Sequence, residues 1–193
     1  MIHVRLKMFT TPTYIVLDLP FPVSACVTAL RSRFDAFEAQ LPPEITIAGS
    51  SGVGVLAENQ DAEQVFKAIQ RVGQMHLPFI SAFVSMERFP SVPIFWLKPR
   101  DRAPFDALQS ALVAAGIRFC ANPFPFNPHC TISATVELTD LQESELLSTP
   151  IPEQEFVLAE LCVYQLTDGR ACLLRSFVFP GAIPTLTTPG PLP

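Results

Sequence analysis

Two short stretches decide the fold of this chain: Pro-Glu-Ile-Thr-Ile at residues 43–47 and Pro-His-Cys-Thr-Ile at residues 128–132. In each, a polar residue stands two positions before a threonine, just after a proline and inside an apolar, β-branched run. Successive side chains of a strand point to opposite faces, so the polar residue and the threonine share one face while their neighbours turn to the core. The residues that share a face are Glu44 with Thr46 and His129 with Thr131.

The rest of the chain repeats one order of elements around each stretch. Apolar residues at helical spacing and short β-branched runs predict strand, helix, polar-x-Thr strand, helix and strand in both halves. Asp168-Gly169, between the last two strands, is typical of a tight hairpin whose turn positions need positive φ. The predicted helices are Val23–Ala39, Asp61–Gly73, Phe105–Ala115 and Asp140–Leu147, and the further strands are Tyr14–Leu19, Leu77–Met86, Ile94–Leu97, Phe156–Gln165 and Ala171–Phe179.

This duplication predicts an α+β fold with two pseudo-symmetric lobes, each an antiparallel sheet with flanking helices, around a central cleft. We expect residues 1–193 to form a single bilobal domain, with lobes at 14–92 and 93–180 and an irregular, Pro-rich tail at 181–193. Packing the lobes together would bring the two polar-x-Thr strands face to face, so that they hold one small anion from two sides.

The composition excludes several classes of protein. Of 193 residues, 49% are hydrophobic and 16% charged, which indicates a globular chain with a substantial core. A net charge of −5 argues against non-specific coating of nucleic acid, which needs Lys and Arg to neutralise phosphates. The five cysteines are scattered without a C-x-x-C pair, so they predict neither a disulfide framework nor a zinc site. The first residues lack the continuous apolar block of a signal peptide, and no apolar run approaches the length of a membrane-spanning helix, so we expect a cytoplasmic protein.

On the residues of the two stretches the chain resembles the 2H phosphoesterase superfamily, whose bacterial members are often called 2′-5′ RNA ligases or cyclic phosphodiesterases. The resemblance covers nearly the whole chain. It implies that His129 transfers a proton and that the Thr46 and Thr131 hydroxyls bind the non-bridging oxygens of a phosphodiester. It also implies an RNA end or a small nucleotide phosphodiester as the partner, reactions that open 2′,3′-cyclic phosphates or join and cleave 2′-5′ linkages, and no need for a metal or other cofactor.

Glu44 is the departure from the family pattern, because it stands where the family carries its first histidine. A carboxylate with an ordinary pKa near 4.3 is anionic at neutral pH, serves only as a base, and repels a phosphodiester by about 4 kcal/mol at ~4 Å and an effective dielectric of ~20. Burial would instead raise its pKa and leave it neutral. Three interpretations stay open: a site that binds little, a site with Glu44 as base and His129 as acid, or a site for a less anionic substrate. We expect weakened activity, and Glu44→His to restore some of it.

Two phenylalanines and several cations complete the candidate site. Phe124 and Phe126 flank Pro125 just before His129, and they either stack on a nucleobase or fill the core beneath a Pro-rich loop. The candidate phosphate partners are Arg88, Lys98, Arg100, Arg102 and Arg175. Two functions of different class therefore compete: a 2H-type phosphoesterase, and a catalytically inactive module that binds a ligand or partner in the same cleft.

Overall fold

The computed structural model describes residues 9–182, and these residues form an α+β fold with four α-helices and nine strands. The strands are β1 (Thr13–Asp18), β2 (Glu44–Ala48), β3 (Phe79–Ser81), β4 (Phe83–Arg88), β5 (Phe95–Pro99), β6 (Cys130–Ser133), β7 (Phe156–Leu158), β8 (Glu160–Thr167) and β9 (Arg170–Val178). The helices are α1 (Val23–Phe34), α2 (Ala62–Gln74), α3 (Ala103–Ala114) and α4 (Asp140–Ser148), with a 3₁₀ turn at Glu38–Gln40. The tail predicted at 181–193 lies outside the described residues from 183 onward.

The strands form two larger sheets and a short seam, and every pairing is antiparallel. The first sheet has the order β2-β1-β8-β9 and the second the order β4-β5-β6. The seam is the pair β3-β7. Along the chain, β3 is followed by β4 of the second sheet, and β7 is followed by β8 of the first sheet. The antiparallel sheets and flanking helices of the predicted α+β fold are confirmed.

The two halves of the chain exchange their third strands. β4 belongs by sequence to the first half yet pairs with β5, while β8 belongs to the second half and pairs with β1. The helices are exchanged in the same way: α1 of the first half packs on β6 of the second half, and α3 of the second half packs on β2 of the first half. The sheets therefore do not divide at the expected lobe boundary between residues 92 and 93. Local sequence shows that β4 is a strand, but it does not show which of two similar sheets the strand completes.

Local signals account for most element ends. Asp61 caps α2 by accepting the Gln64 backbone N–H at 3.1 Å, and Thr139 begins α4 in a capping box. Asp168 and Gly169 both have positive φ, as the hairpin prediction requires. One predicted end was wrong: α1 ends at Phe34 rather than Ala39, because Asp35 turns its backbone to an extended conformation.

The core fills the space between the sheets and the helices. Inward residues of the paired strands, such as Leu17 on β1, Ile45 on β2 and Leu97 on β5, are fully buried. One stripe of α2, including Val65, Ile69 and Val72, is buried against the sheet, as its spacing predicts. Within residues 9–182, no helix is both long and apolar enough to span a bilayer.

Candidate active site

The two polar-x-Thr strands lie next to each other, one in each sheet. On β2, Ile45 and Ile47 are fully buried while Glu44 and Thr46 are half-buried on the other face. On β6, Cys130 and Ile132 are fully buried and Thr131 is half-buried. β2 contacts β6, and the Cys130 thiol reaches the Glu44 backbone. The alternation that period two predicts is present on both strands.

His129 stands just before β6 with its ring held on three sides. Its Nδ1 lies 2.6 Å from the Asn127 carbonyl oxygen, which only accepts, so the proton sits on Nδ1 and Nε2 carries the lone pair. The rings of Phe89 and Trp96 stand edge-on to the imidazole at centroid distances of 5.3 and 5.7 Å. Burial lowers the pKa of His129, against the Asn127 hydrogen bond that raises it. His129 is therefore neutral at pH 7, with a basic nitrogen available.

Glu44 is the opposite case, an acid that keeps its proton. Burial raises the pKa of Glu44 to about 8, although the Thr46 hydrogen bond and the Arg31 charge lower it. The Thr46 hydroxyl lies 3.0 and 3.1 Å from the two carboxyl oxygens. At pH 7 a group with a pKa of about 8 is roughly 90% protonated. The repulsion of about 4 kcal/mol calculated for an ionised Glu44 beside a phosphate is therefore largely absent at neutral pH.

The face that carries Glu44 continues across β1 and β8 as a polar surface. Asp18 is the direct cross-strand partner of Glu44, and its Oδ2 accepts the Tyr164 hydroxyl at 2.8 Å. The Asp18 Oδ1 is buried and has no hydrogen-bond partner within residues 9–182. Burial raises the pKa of Asp18 and, together with nearby carboxyl groups, that of Tyr14. Glu44 thus borders other groups that favour protonation.

Arg31 lies beneath both strands and was missed by the sequence analysis. It is 2% exposed, and its Nε donates to the Thr131 carbonyl oxygen at 2.9 Å. Its Nη1 donates to the Leu41 carbonyl at 3.0 Å, just before β2. The sequence did hold a signal: Arg31 stands four residues after Val27, on the apolar stripe of α1.

The predicted phenylalanines do not contact His129 through their rings. Phe126 is half-buried and packs against the core, as the structural interpretation predicts. Phe124 is 63% exposed, and its carbonyl oxygen accepts the Gly52 backbone N–H at 2.9 Å. The loop before β6 is thus fastened to the turn after β2. The aromatic neighbours of His129 are instead Phe89, which directly follows β4, and Trp96 on β5.

The five candidate phosphate cations all have carboxylate partners. The pairs are Arg88–Glu143 at 3.6 Å, Lys98–Glu87 at 3.0 Å, Arg100–Glu155 at 2.7 Å, Arg102–Asp106 at 2.8 Å and Arg175–Glu63 at 3.4 Å. Lys98 follows Leu97, which pairs with Cys130, so it lies near the His129 end of β5. Residues 9–182 hold no group of three or more His, Cys, Asp or Glu side chains suited to a metal ion.

Comparison with known proteins agrees with this architecture. The family model of the 2′-5′ RNA ligase superfamily matches residues 19–170. A Shouchella clausii (strain KSM-K16) protein provisionally named a phosphoesterase is 23% identical over 170 residues, covering 83% of this chain and 93% of its own.

Solved structures share the fold at low identity. The protein TT0787 of Thermus thermophilus superposes with a TM-score of 0.61 at 16% identity, over 87% of this chain and 97% of its own. Apo LigT of E. coli gives a TM-score of 0.56 at 18% identity, over 88% and 97%. LigT complexed with 3′-AMP gives 0.52 at 17% identity, over 88% and 98%.

Proposed function

Because the chain belongs to the 2′-5′ RNA ligase superfamily, we propose that it is a phosphoesterase that opens a 2′,3′-cyclic phosphate at an RNA end or on a small nucleotide. The observation that carries the proposal is the opposite protonation of the two motif residues. His129 presents an unprotonated Nε2, and Glu44 keeps its proton at neutral pH. One group can take a proton while the other gives one, which is the division of labour that phosphodiester cleavage needs.

The roles are the reverse of those that the residue types suggest. A Glu44 base with a His129 acid would need an ionised carboxyl and an imidazolium together. At pH 7 that combination is the minor one, because Glu44 with a pKa of about 8 is mostly protonated and the lowered pKa of His129 favours the neutral imidazole. The combination of neutral His129 and protonated Glu44 predominates for the same reasons.

The proposed step balances with these two groups and a water molecule. The His129 Nε2 takes a proton from water as its oxygen bonds to phosphorus. The bond from phosphorus to the ribose oxygen breaks, and Glu44 protonates that leaving oxygen. The product is a phosphomonoester beside a free hydroxyl, with the imidazole now protonated and Glu44 ionised. A proton exchange with solvent restores both groups for the next turnover.

The threonines and one aromatic ring supply binding in this proposal. The Thr131 hydroxyl makes no hydrogen bond to another residue in 9–182 and is available to a phosphate oxygen. Thr46 would transfer its hydrogen bond from Glu44 to the phosphate. Phe124, with its exposed ring, is the proposed stacking surface for a base. LigT, which shares the fold, has been crystallised with 3′-AMP and with phosphate.

A second function is favoured by one contact. The Thr46 hydroxyl is already bonded to Glu44, so a ligand must compete for it. If that bond persists, the protein binds a nucleotide or a partner without turnover.

For either function we propose the cytoplasm as the compartment, in line with five free cysteines.

The test is initial-rate hydrolysis of a 2′,3′-cyclic nucleotide between pH 5 and 9, with and without EDTA. We expect a bell-shaped profile that rises with the lowered pKa of His129 and falls near the pKa of about 8 of Glu44. Glu44→Gln should lose turnover yet still bind 3′-AMP, whereas Glu160→Gln, which removes a half-buried carboxyl at the start of β8, serves as the matched control. No turnover in the wild type, with 3′-AMP still bound, would favour the binding function.

A further inference from the structure

Arg31 makes an unusual set of contacts for a buried cation. Its guanidinium donates to four backbone carbonyl oxygens: those of Thr131 at 2.9 Å, Leu41 at 3.0 Å, Glu38 at 3.1 Å and Pro42 at 3.4 Å. Among the described residues, none of its hydrogen bonds ends on a carboxylate. Burying a charge without an ion pair is costly, and the four carbonyl oxygens offset that cost by hydrogen bonding the guanidinium.

The carbonyls belong to two separate segments, and each leads to one of the proton-transfer groups. Pro42 stands two residues before Glu44, and Thr131 stands two residues after His129. These segments come from different sheets, so no ladder of backbone hydrogen bonds joins them. The rigid, planar fork of one arginine joins them instead, and its donors fix both distance and angle.

A second residue of the α1 segment holds the same strand from its other end. The Asp35 carboxylate accepts the backbone N–H groups of Ala134 at 3.1 Å and Thr135 at 2.9 Å, directly after β6. Asp35 is 1% exposed, and it also accepts the backbone N–H groups of Phe37 and Glu38 at 3.1 Å, at the far end of the loop that leads to β2. Arg31 and Asp35 therefore share a segment, a degree of burial and a strand, but only Arg31 binds Leu41 and Pro42, the residues close to Glu44. This difference makes Asp35 the matched control.

We propose that Arg31 is a positioning residue that fixes Glu44 against His129 and places a permanent positive charge under the phosphate position. The inference rests on the proposed function, which it deepens. A lone structural role would not explain why the guanidinium joins both motif segments. A group that orders two strands for proton transfer affects turnover more than affinity, because its contribution is to the geometry of reaction.

The charge of Arg31 also gives a readout that does not need turnover. Arg31 lowers the pKa of Glu44, which burial, Asp18 and Glu38 all raise. The other titratable groups near Glu44 are Tyr14 and Cys130, whose pKa values burial raises and which stay neutral at pH 7. Removing the positive charge should therefore move the titration of Glu44 to higher pH.

The experiment compares Arg31→Met, Arg31→Lys and Asp35→Asn by kinetics on a 2′,3′-cyclic nucleotide and by ¹³C NMR titration of Glu44, assigned with Glu44→Gln. Arg31→Met should lower kcat at least tenfold with KM within twofold, and raise the Glu44 midpoint by at least half a pH unit. Arg31→Lys, which keeps the charge but not the fork, should lower kcat with the midpoint near the wild type. Asp35→Asn should lower the melting temperature, with kcat within twofold of wild type and the Glu44 midpoint unmoved.

Either of two results would overturn the inference. One is a folded Arg31→Met or Arg31→Lys protein with wild-type kcat. The other is a Glu44 midpoint that moves as far in Asp35→Asn as in Arg31→Met, since that would mean a general loosening of the fold. If wild type shows no turnover, the proposed function fails, and the comparison of Glu44 midpoints alone then decides the role of Arg31.

Discussion

Replacing Glu44 by glutamine should change the pH dependence of stability, and the size of the change follows from the buried carboxyl. Burial raises the pKa of folded Glu44 to about 8 from an ordinary value of 4.5. An acid with a raised folded pKa contributes its stability below pH 4.5 and loses it as pH rises to about 8, because the unfolded chain ionises first. Glutamine has no proton to lose, so the variant lacks this decline.

The decline has a calculable size. One proton difference between unfolded and folded chain costs about 1.4 kcal/mol per pH unit. Between pH 5 and pH 8 the linkage relation gives a loss of about 3.5 kcal/mol for wild type that Glu44→Gln does not share. Relaxation of the buried site would reduce this figure, so we expect a relative gain for the variant of about 2 to 3.5 kcal/mol.

The assay is urea unfolding at half-unit steps of pH, followed by the fluorescence of the only tryptophan. That residue, Trp96, is buried on β5 beside His129, so its signal reports on the region of interest. Glu58→Gln, which removes an exposed carboxylate, controls for the change in net charge. Parallel stability curves for wild type and Glu44→Gln from pH 5 to 8 would refute the argument, because Glu44 would then ionise as it does in an unfolded chain.

Three further changes have definite expected outcomes. His129→Gln should reduce turnover of a 2′,3′-cyclic nucleotide by about 100-fold or more, by loss of the base, with 3′-AMP binding by calorimetry retained and His76→Gln as control. Glu44→His should raise the initial rate most clearly at pH 8, by about twofold, because half of the wild-type carboxyl groups are anionic there and repel the phosphate; an unchanged rate would contradict this. Gly54→Ala should lower the free energy of unfolding by about 2 to 4 kcal/mol, measured by thermal melting, since φ is +88° and the added Cβ would lie 2.0 Å from the Cys120 carbonyl oxygen. Gly116→Ala, with φ of +76° but no atom within 4 Å, should cost only about 1 kcal/mol.

The sequence was sufficient wherever the deciding interaction is local. The alternation along β2 and β6 identifies which residues face the core, and the helix predicted at Asp140–Leu147 matches α4 to within one residue. The Asp168-Gly169 turn follows from the same kind of short-range preference. Each of these features depends on residues within a few positions of one another, so a single chain without structure contains the required information.

The sequence was insufficient where the deciding partner is distant. The end of α1 depends on Asp35, whose carboxylate is bound to amides about a hundred residues away. The protonation of Glu44 depends on its burial in the folded chain, so the residue type alone left open whether the carboxyl is ionised or neutral. Arg31 was missed for the same reason, since its carbonyl partners lie in other segments.

The exchange of third strands between the halves bears on how such a protein is made and maintained. Neither half of the chain contains a complete sheet, so each half exposes an unpaired strand edge until the other has been synthesised. Folding must wait for contacts between distant parts of the chain, which slows it and lengthens exposure to chaperones and proteases. Cleavage of the chain between the two halves would therefore leave each half without a strand that only the other half supplies. A substitution in the site of one half therefore leaves the strands of that half still required by the other half.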